Sequence, residues 1–421
     1  METELILFIV MMSVAGAGLG VFSGLVPGIH VNTLAVLMLS FYPAIQAGLS
    51  EVFPPYMVPM LVASCIISAA IVHSFVAFVP SVFLGAPDPD EVMNVLPGHR
   101  LLLEGRGMVA VRASAAGSAI GTLSAVCLAV PMQFLIANGL GSYLESITVC
   151  VLLIAVAALI LKETGAGMIW AAILIALSGM LGYACMFIIP EPGGIIPGGN
   201  LLFPLLTGLF GIPALILTPK DSSIPEQRDD ERYDAGDLSG LKGVAAGAVT
   251  GWFPGITATS AAVICGSRSE KKPEGFIAFV SSISSAAAVF AIVTLSMTGK
   301  TRTGTMIVVG DILGGSISGV GNGIFLLMLL SVLVAALIGY AATILSGKWI
   351  SGAISNVKMR RFSRVVISAM AVLVALMTGW TGLFVLAVSS MLGLVPTAAN
   401  VSRVHLSGCL IIPVILLRFG F

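Results

Sequence analysis

The stretch GLVPGIHVNTLA, residues 24–35, decides how this chain is read. It lies among apolar runs of membrane-spanning character, yet it sets a Pro-Gly pair, a histidine and an asparagine within a few positions. Proline removes a backbone donor and clashes with the preceding turn, and glycine weakens a helix further, so a helix arriving here must stop. In hydrocarbon the freed N–H and C=O groups are costly, and such a break is tolerated only where protein or a water-filled cavity covers it. A half-helix restarting after Pro27-Gly28 presents free N–H groups and the positive end of its dipole, both of which favour an anion. Pro27, Gly28, His30, Asn32 and Thr33 are the first candidate binding residues.

The pattern returns in GWFPGITATSAA, residues 251–262, where Pro254 and Gly255 match the first pair and Thr257, Thr259 and Ser260 stand opposite His30, Asn32 and Thr33. Two further echoes keep the same order. SCIISAAI (64–71) resembles SSISSAAA (281–288), and LTGLFGIPALIL (206–217) resembles LSGCLIIPVILL (406–417). Between the echoes lies KDSSIPEQRDDERYDAGDLSGLKG, residues 220–243, with seven of the chain's 20 acidic residues. It reads as a solvent-exposed linker. The organisation expected is a first transmembrane repeat over 1–219, a polar acidic linker over 220–243 and a second repeat over 244–421.

Composition sets the class. Hydrophobic residues make up 57% of the chain and charged ones 10%, with a mean hydropathy of +1.07, well away from the balance of a soluble domain. Apolar windows at 109–136, 147–161, 168–189, 323–345 and 365–392 approach or exceed the roughly 20 residues that a spanning helix needs. The expectation is an all-α polytopic membrane protein with about 10–14 membrane segments, in two repeats of inverted type with broken or re-entrant helices. Abundant glycine (48) and proline (21) fit close helix contacts and broken helices. The start, METELILF, lacks a basic n-region and reads as a retained first helix. Zero net charge gives no footprint for nucleic acid. Six scattered cysteines show no metal spacing and read as packing residues.

Duplicated halves with matched Gly/Pro interruptions point to a secondary transporter whose substrate site forms at the repeat interface. MLGLVPTAANVSRVHLSGC, residues 391–409, adds Arg403 and His405 between apolar runs. Arginine is costly at membrane depth, and its planar fork suits carboxylate or phosphate. The two would share a face in an extended segment but lie about 200° apart on a helix. EPGGIIPGGN, residues 191–200, is the corresponding break of the first half, without the Arg/His pair. Asp88, in GAPDPDE (85–91), is an acid beside a membrane segment and the candidate for ion coupling, the cation being Na+ or H+. His73 reads as a hydrogen-bonded core histidine, LPGHRLLLEGRG (96–107) as a polar connection, and the basic run KMRRFSR (358–364) as cytoplasmic. Enzyme signatures are missing: there is no GxSxG, HExxH or P-loop, and Val308 stands where a GxGD protease needs glycine before Gly310-Asp311. No metal and no cofactor beyond a coupling cation is implied.

The paired PGI breaks, GITATSAAVICGSRSEKKPEGF (255–276), GAPDPDEVMNVLPGHRLLLEGRG (85–107) and SRVHLSG (402–408) resemble the large membrane subunit of the tripartite tricarboxylate transporters, the TctA family, in a compact archaeal-type branch. The resemblance implies a secondary transporter of inverted repeats that moves carboxylates with an ion gradient, beside a small membrane subunit and an extracytoplasmic binding protein. Pro27, Gly28, Pro254 and Gly255 take the positions of that family's paired Pro-Gly substrate loops. His30 and Asn32 replace its small neutral residues, GAPDPDE is more acidic than its usual loop, and the chain is shorter. These departures bear on tricarboxylate specificity and on dependence upon accessory subunits. The repeats are also similar to membrane proteins that recycle polyprenyl phosphate, whose head group His30, Arg403 and His405 would suit. The function expected is ion-coupled, alternating-access transport of a di- or tricarboxylate-like organic anion in the cell (inner) membrane, as a multi-pass protein. The alternative is a translocase for polyprenyl-phosphate carrier lipids. Its partners would be the anionic substrate, membrane lipids and a second copy of the chain.

Overall fold

Long runs of Ala, Leu, Ile, Val and Met can keep every backbone group satisfied without water only as helices, and among the described residues every regular element is helical. A computed structural model of the chain describes residues 2–26, 29, 31–83, 94–190, 193–195, 201–217, 225–229, 233, 239–253, 256, 258, 261–262, 265, 272–301, 303–354 and 359–420. Ahead of the polar connection lie α1 (Glu2–Leu25), α2 (Val31–Ser40), α3 (Tyr42–Ser50), α4 (Val58–Val76), α5 (Phe78–Phe83), α6 (Val95–Leu103), α7 (Gly107–Leu135), α8 (Gly141–Leu161), α9 (Ala166–Tyr183), α10 (Leu202–Leu206) and α11 (Ile212–Leu217). After it come α12 (Ser239–Trp252), α13 (Pro273–Thr298), α14 (Gly304–Leu313), α15 (Gly323–Ile354), α16 (Met359–Ala398) and α17 (Gly408–Arg418).

Among the described residues seven helical stretches are long and apolar enough to cross a membrane. Two of them bend midway, at Asn138 and Gly139 (φ 104°) between α7 and α8 and at Gly379 (φ 60°) inside α16. The spanning window of α4 and α5 is 89% buried and that of α13 is 78% buried, against 22–44% for the other five. Two central helices are thus wrapped by lipid-facing ones. The outer surface carries Leu337, Phe384 and Trp380, the last 87% exposed, which a hydrocarbon environment covers favourably.

Small residues set how closely the helices approach. Gly16, Gly20 and Gly24 form one stripe of α1 against α4, where a Cβ on Gly20 would come within 2.5 Å of the Ala69 carbonyl oxygen. Gly243, Gly247 and Gly251 form the same stripe on α12 against α13, where a Cβ on Gly247 would meet the Ala286 Cβ at 2.7 Å. Helices in lipid gain little from burying apolar surface, so they associate through such close contact and through hydroxyl bonds. The Ser68 hydroxyl donates to Ser13 O (2.5 Å) and that of Ser282 to Gly240 O (2.5 Å). The halves then cross. α7 lies along α13, with Gly117 against Ala278, Gly121 against Ser282, and the Ser114 and Ser281 hydroxyls 2.9 Å apart. α4 lies along α15, with Phe75 against Gly339.

Two parts differ from the sequence reading. Residues 96–107 are no polar connection: α6 occupies Val95–Leu103 with Leu101 and Leu102 fully buried, and only the turn after it is polar. The leucines sit on one face of a helical turn, so the helix buries them while the exposed Arg100 pairs with Glu104 at 3.0 Å. The stretch 220–243 is not simply solvated either. Its last residues begin α12, with Ser239, Gly240 and Gly243 buried, and residues 225–229 serve unpaired backbone groups at the start of α7. Gly107 N–H donates to Gln227 Oε1 (2.8 Å), Gln227 Nε2 to Leu102 O (3.1 Å), and Arg228 N–H to Gly105 O (2.9 Å). Asp229 joins Lys348 of α15 (3.0 Å) to Arg112 of α7. The Lys348 hydrogen bond and the Arg112 charge outweigh desolvation and hold its carboxyl below the ordinary value. His73 is a core histidine as read, buried, with Nδ1 3.0 Å from the Ser23 hydroxyl.

The crossing of α7 and α13 gives a direct test. Gly117→Val should lower stability by about 1–3 kcal/mol or more, because the Ala278 backbone cannot yield as a flexible side chain would. Gly18→Ala, facing open space, should leave stability level or raise it by up to about 1 kcal/mol. Thermal unfolding of the two variants in detergent checks the contrast.

Candidate functional site

Helices stop at both Pro-Gly pairs. α1 ends at Leu25, Ile29 N–H turns back to Val26 O (3.1 Å), and α2 restarts at Val31; α12 ends at Trp252, and helix resumes by Ala258. Pro27, Gly28, His30, Asp88, Pro254, Gly255, Thr257, Thr259 and Ser260 lie outside the described residues, as does the side chain of Thr33. Asn32, Arg403 and His405 are described.

Asn32 reaches across to the other half of the chain. On the first turn of α2, its Oδ1 accepts the Thr305 N–H at 2.9 Å, at the start of α14. Thr303 caps the same end by accepting the Met306 N–H (3.2 Å). The opening amides of α14, which no intrahelical carbonyl can reach, are thus served by one residue of their own half and one from the first Pro-Gly arm. A bulkier residue at Gly304 would displace Asn32, since a Cβ there would lie 2.9 Å from the Asn32 Cβ.

The C-terminal break separates Arg403 from His405. Asn400 takes a left-handed conformation (φ 53°), Ser402 caps a short turn, and Arg403–Ser407 form a 3-10 helix in which successive side chains fan about 120° apart. Arg403 Nη2 accordingly points to Thr397 Oγ1 (3.4 Å), while His405, 1% exposed, turns inward. Its Nε2 donates to Glu163 Oε1 at 2.9 Å, and the Ser402 N–H donates to the same oxygen at 3.0 Å. Glu163 sits at the joint of α8 and α9, beside Gly165 (φ 56°). Desolvation raises its carboxyl, but the Ser402 N–H, the His405 bond and the His405 charge outweigh this and hold it below the ordinary value. The sequence reading missed Glu163; the available signal was an isolated acid in the turn between two apolar runs.

A second joint answers the first. Thr378-Gly379 in α16 repeats Thr164-Gly165, with left-handed φ at both glycines, and each joint is covered by a break from the opposite half. Gly193 and Gly194 of the first-half break pack on Gly379 and Met377, as Ser402 packs on Glu163. Gly208 and Gly408, paired in the sequence echoes, also sit at crossings with the opposite half, on Ser389 and Ile175.

Seven apolar spans among the described residues, with interrupted helices whose joints at Gly379 and Glu163 are met by breaks from the opposite half, define a multi-pass helical protein of the transporter kind. The chain belongs to the tripartite tricarboxylate transporter TctA family, whose sequence model matches residues 10–408. It is a component of a secondary transporter of the cell membrane and not an enzyme. Members of the family act with accessory subunits and carry anionic substrates. The chain is similar to the uncharacterized protein MJ1079 of Methanocaldococcus jannaschii, 28% identical over 290 residues that cover 68% of each chain. No solved structure matches.

Two predictions follow from the described residues. Asn32→Ala should lower thermal stability by about 1 kcal/mol, the ordinary cost of a lost helix cap. For Glu163 the folded-state value lies below the ordinary one, so its contribution is complete above about pH 4.5 and disappears as the pH falls through the lowered value. Glu163→Gln should flatten that acid limb in a plot of melting temperature against pH.

Proposed function

We propose that the chain is an ion-coupled carrier of a di- or tricarboxylate-like organic anion, working by alternating access between its halves about the paired Pro-Gly breaks. The observation that carries this reading is the reciprocal build. Two glycine-striped helices, α1 and α12, each lie on a central helix and stop at a Pro-Gly pair, and each central helix packs on the opposite half. Rocking one such unit against the other would expose a site between them to each side of the membrane in turn. The start of α2 presents the positive end of its dipole to an anion, and His30 and Thr33 adjoin it in the sequence. The matching arm offers Thr257, Thr259 and Ser260, and Arg403 supplies compensating charge from the C-terminal break. Asn32 then acts by fastening the first arm to α14.

One observation favours the lipid-phosphate alternative. An apolar crevice of about 200 Å³ opens between the α7–α8 bend, α12 and α13, lined by Ile136, Leu140, Leu144, Trp252 and Phe290. It ends two residues from Pro254 and has the chemistry to take an isoprenoid tail. Thermal stability of the purified protein with citrate or succinate, against a polyprenyl phosphate, separates the two. A carboxylate at about 100 times its Kd should add about 2.7 kcal/mol, and His30→Ala or Arg403→Ala should lose that gain. Stabilisation by the lipid phosphate alone would reverse the choice.

A further inference from the structure

The contact between Glu163 and His405 has features that packing does not require. It joins the turn before a left-handed glycine of one half to a helix break of the other. One carboxylate oxygen receives two donors, Ser402 N–H and His405 Nε2, while the Glu163 side chain is 21% exposed. The imidazole is 1% exposed, and its Nδ1 has no hydrogen-bond partner among the described residues. A carboxylate that is only partly buried gains little stability from holding a buried imidazole, so stability alone does not account for the pair.

We infer that the Glu163–His405 pair is the proton-binding site that couples anion movement to the proton gradient. The inference rests on the carrier function proposed above and names its coupling ion. Two donors converge on one Glu163 oxygen, an arrangement that suits a carboxylate, and the inference places the exchangeable proton on the imidazole. The loaded pair is imidazolium with carboxylate and carries no net charge. Release of one proton to water leaves a neutral imidazole and a net charge of −1. The loaded form suits the closed contact, and departure of the break from the joint opens the imidazole to water. The charged neighbours are Lys162 beside Glu163 and Arg403 on the same turn. The facing elements add the buried thiols of Cys185 and Cys409 and the hydroxyls of Ser178 and Thr397. A carrier of this kind takes up its anion with a proton and spreads less charge across the membrane.

Proteoliposomes with radiolabelled citrate and succinate test it, through accumulation driven by a pH gradient and through anion exchange at equal pH. The wild type should accumulate anion when the outside is acidic. Glu163→Gln should lower the ratio of accumulation to exchange at least about fivefold, the low end of measured coupling between sites, and Glu163→Asp should restore part of it. An unchanged ratio, loss of exchange together with accumulation, or accumulation driven by sodium alone would overturn the inference. If the wild type moves neither anion, the carrier reading itself fails, and proton binding is then read directly. Infrared difference spectra of ring-15N-histidine protein recorded across a series of pH steps should show imidazole bands that vanish in His405→Asn. Spectra that the variant leaves unaltered would overturn the assignment of the pair.

Discussion

A backbone N–H or C=O inside a bilayer has no water to turn to, and the architecture follows from where this chain leaves such groups unpaired. Helices break or bend at Val26, Asn138, Trp252, Gly379 and Ala399, and at several of these places polar or backbone groups from distant elements meet the freed groups. Asn32 serves the opening amides of α14, Glu163 accepts the Ser402 N–H, and Gly193 and Gly194 close on the Gly379 bend. The fully buried Gln133 donates to the Ser296 hydroxyl (2.8 Å) and accepts the Gly321 N–H (3.0 Å), tying α7 to the connection before α15. In each of these cases the covering group comes from the first half and meets the second, alongside caps such as Thr303 and Ser402 that the second half supplies to its own helix starts.

The same dependence explains the small residues. With lipid on the outside as apolar as the helices themselves, association needs contact closer than large side chains permit. Glycine at Gly20, Gly121 and Gly247 removes the side chain where a backbone or methyl group must approach, and serines convert the proximity into hydrogen bonds. Burial is accordingly concentrated in α4 and α13, rich in Ser and Ala, while the large residues Leu337, Phe384 and Trp380 face outward. The soluble-protein pattern of apolar inside and polar outside is inverted in part.

Much of this was legible in the residues. Pro-Gly pairs stop helices whatever their surroundings, so the ends of α1 and α12 could be placed from the sequence. The glycine stripes at Gly16, Gly20, Gly24 and at Gly243, Gly247, Gly251 are equally visible in the sequence, at the same offset as the Pro-Gly pairs. Glu163 was not legible as a partner of His405, because the two are brought together only by the folding of distant elements onto each other. Whether Arg403 and His405 share a face was open in the sequence, because an extended segment and a helix answer differently, and the 3-10 turn sends them apart. The docking of Gln227 and Asp229 was hidden by composition: a charged, proline-containing stretch looks solvated even where its polar groups answer specific needs of the helix starts beside it.

The crossing of α7 with α13 bears on how the protein is made. Ser114, Gly117, Ser118 and Gly121 leave the ribosome long before Ala278, Ser281 and Ser282 exist to receive them. A nascent first half therefore enters the bilayer with a polar, side-chain-poor stripe that has no partner, and its central helix α4 waits likewise for α15. The close contacts of the first half are therefore completed only when the second half is present. The early helices must be held in a loose arrangement, by the insertion machinery or by lipid, until the last third of the chain arrives, and truncated products should be recognised by quality control as unassembled rather than as smaller folded units.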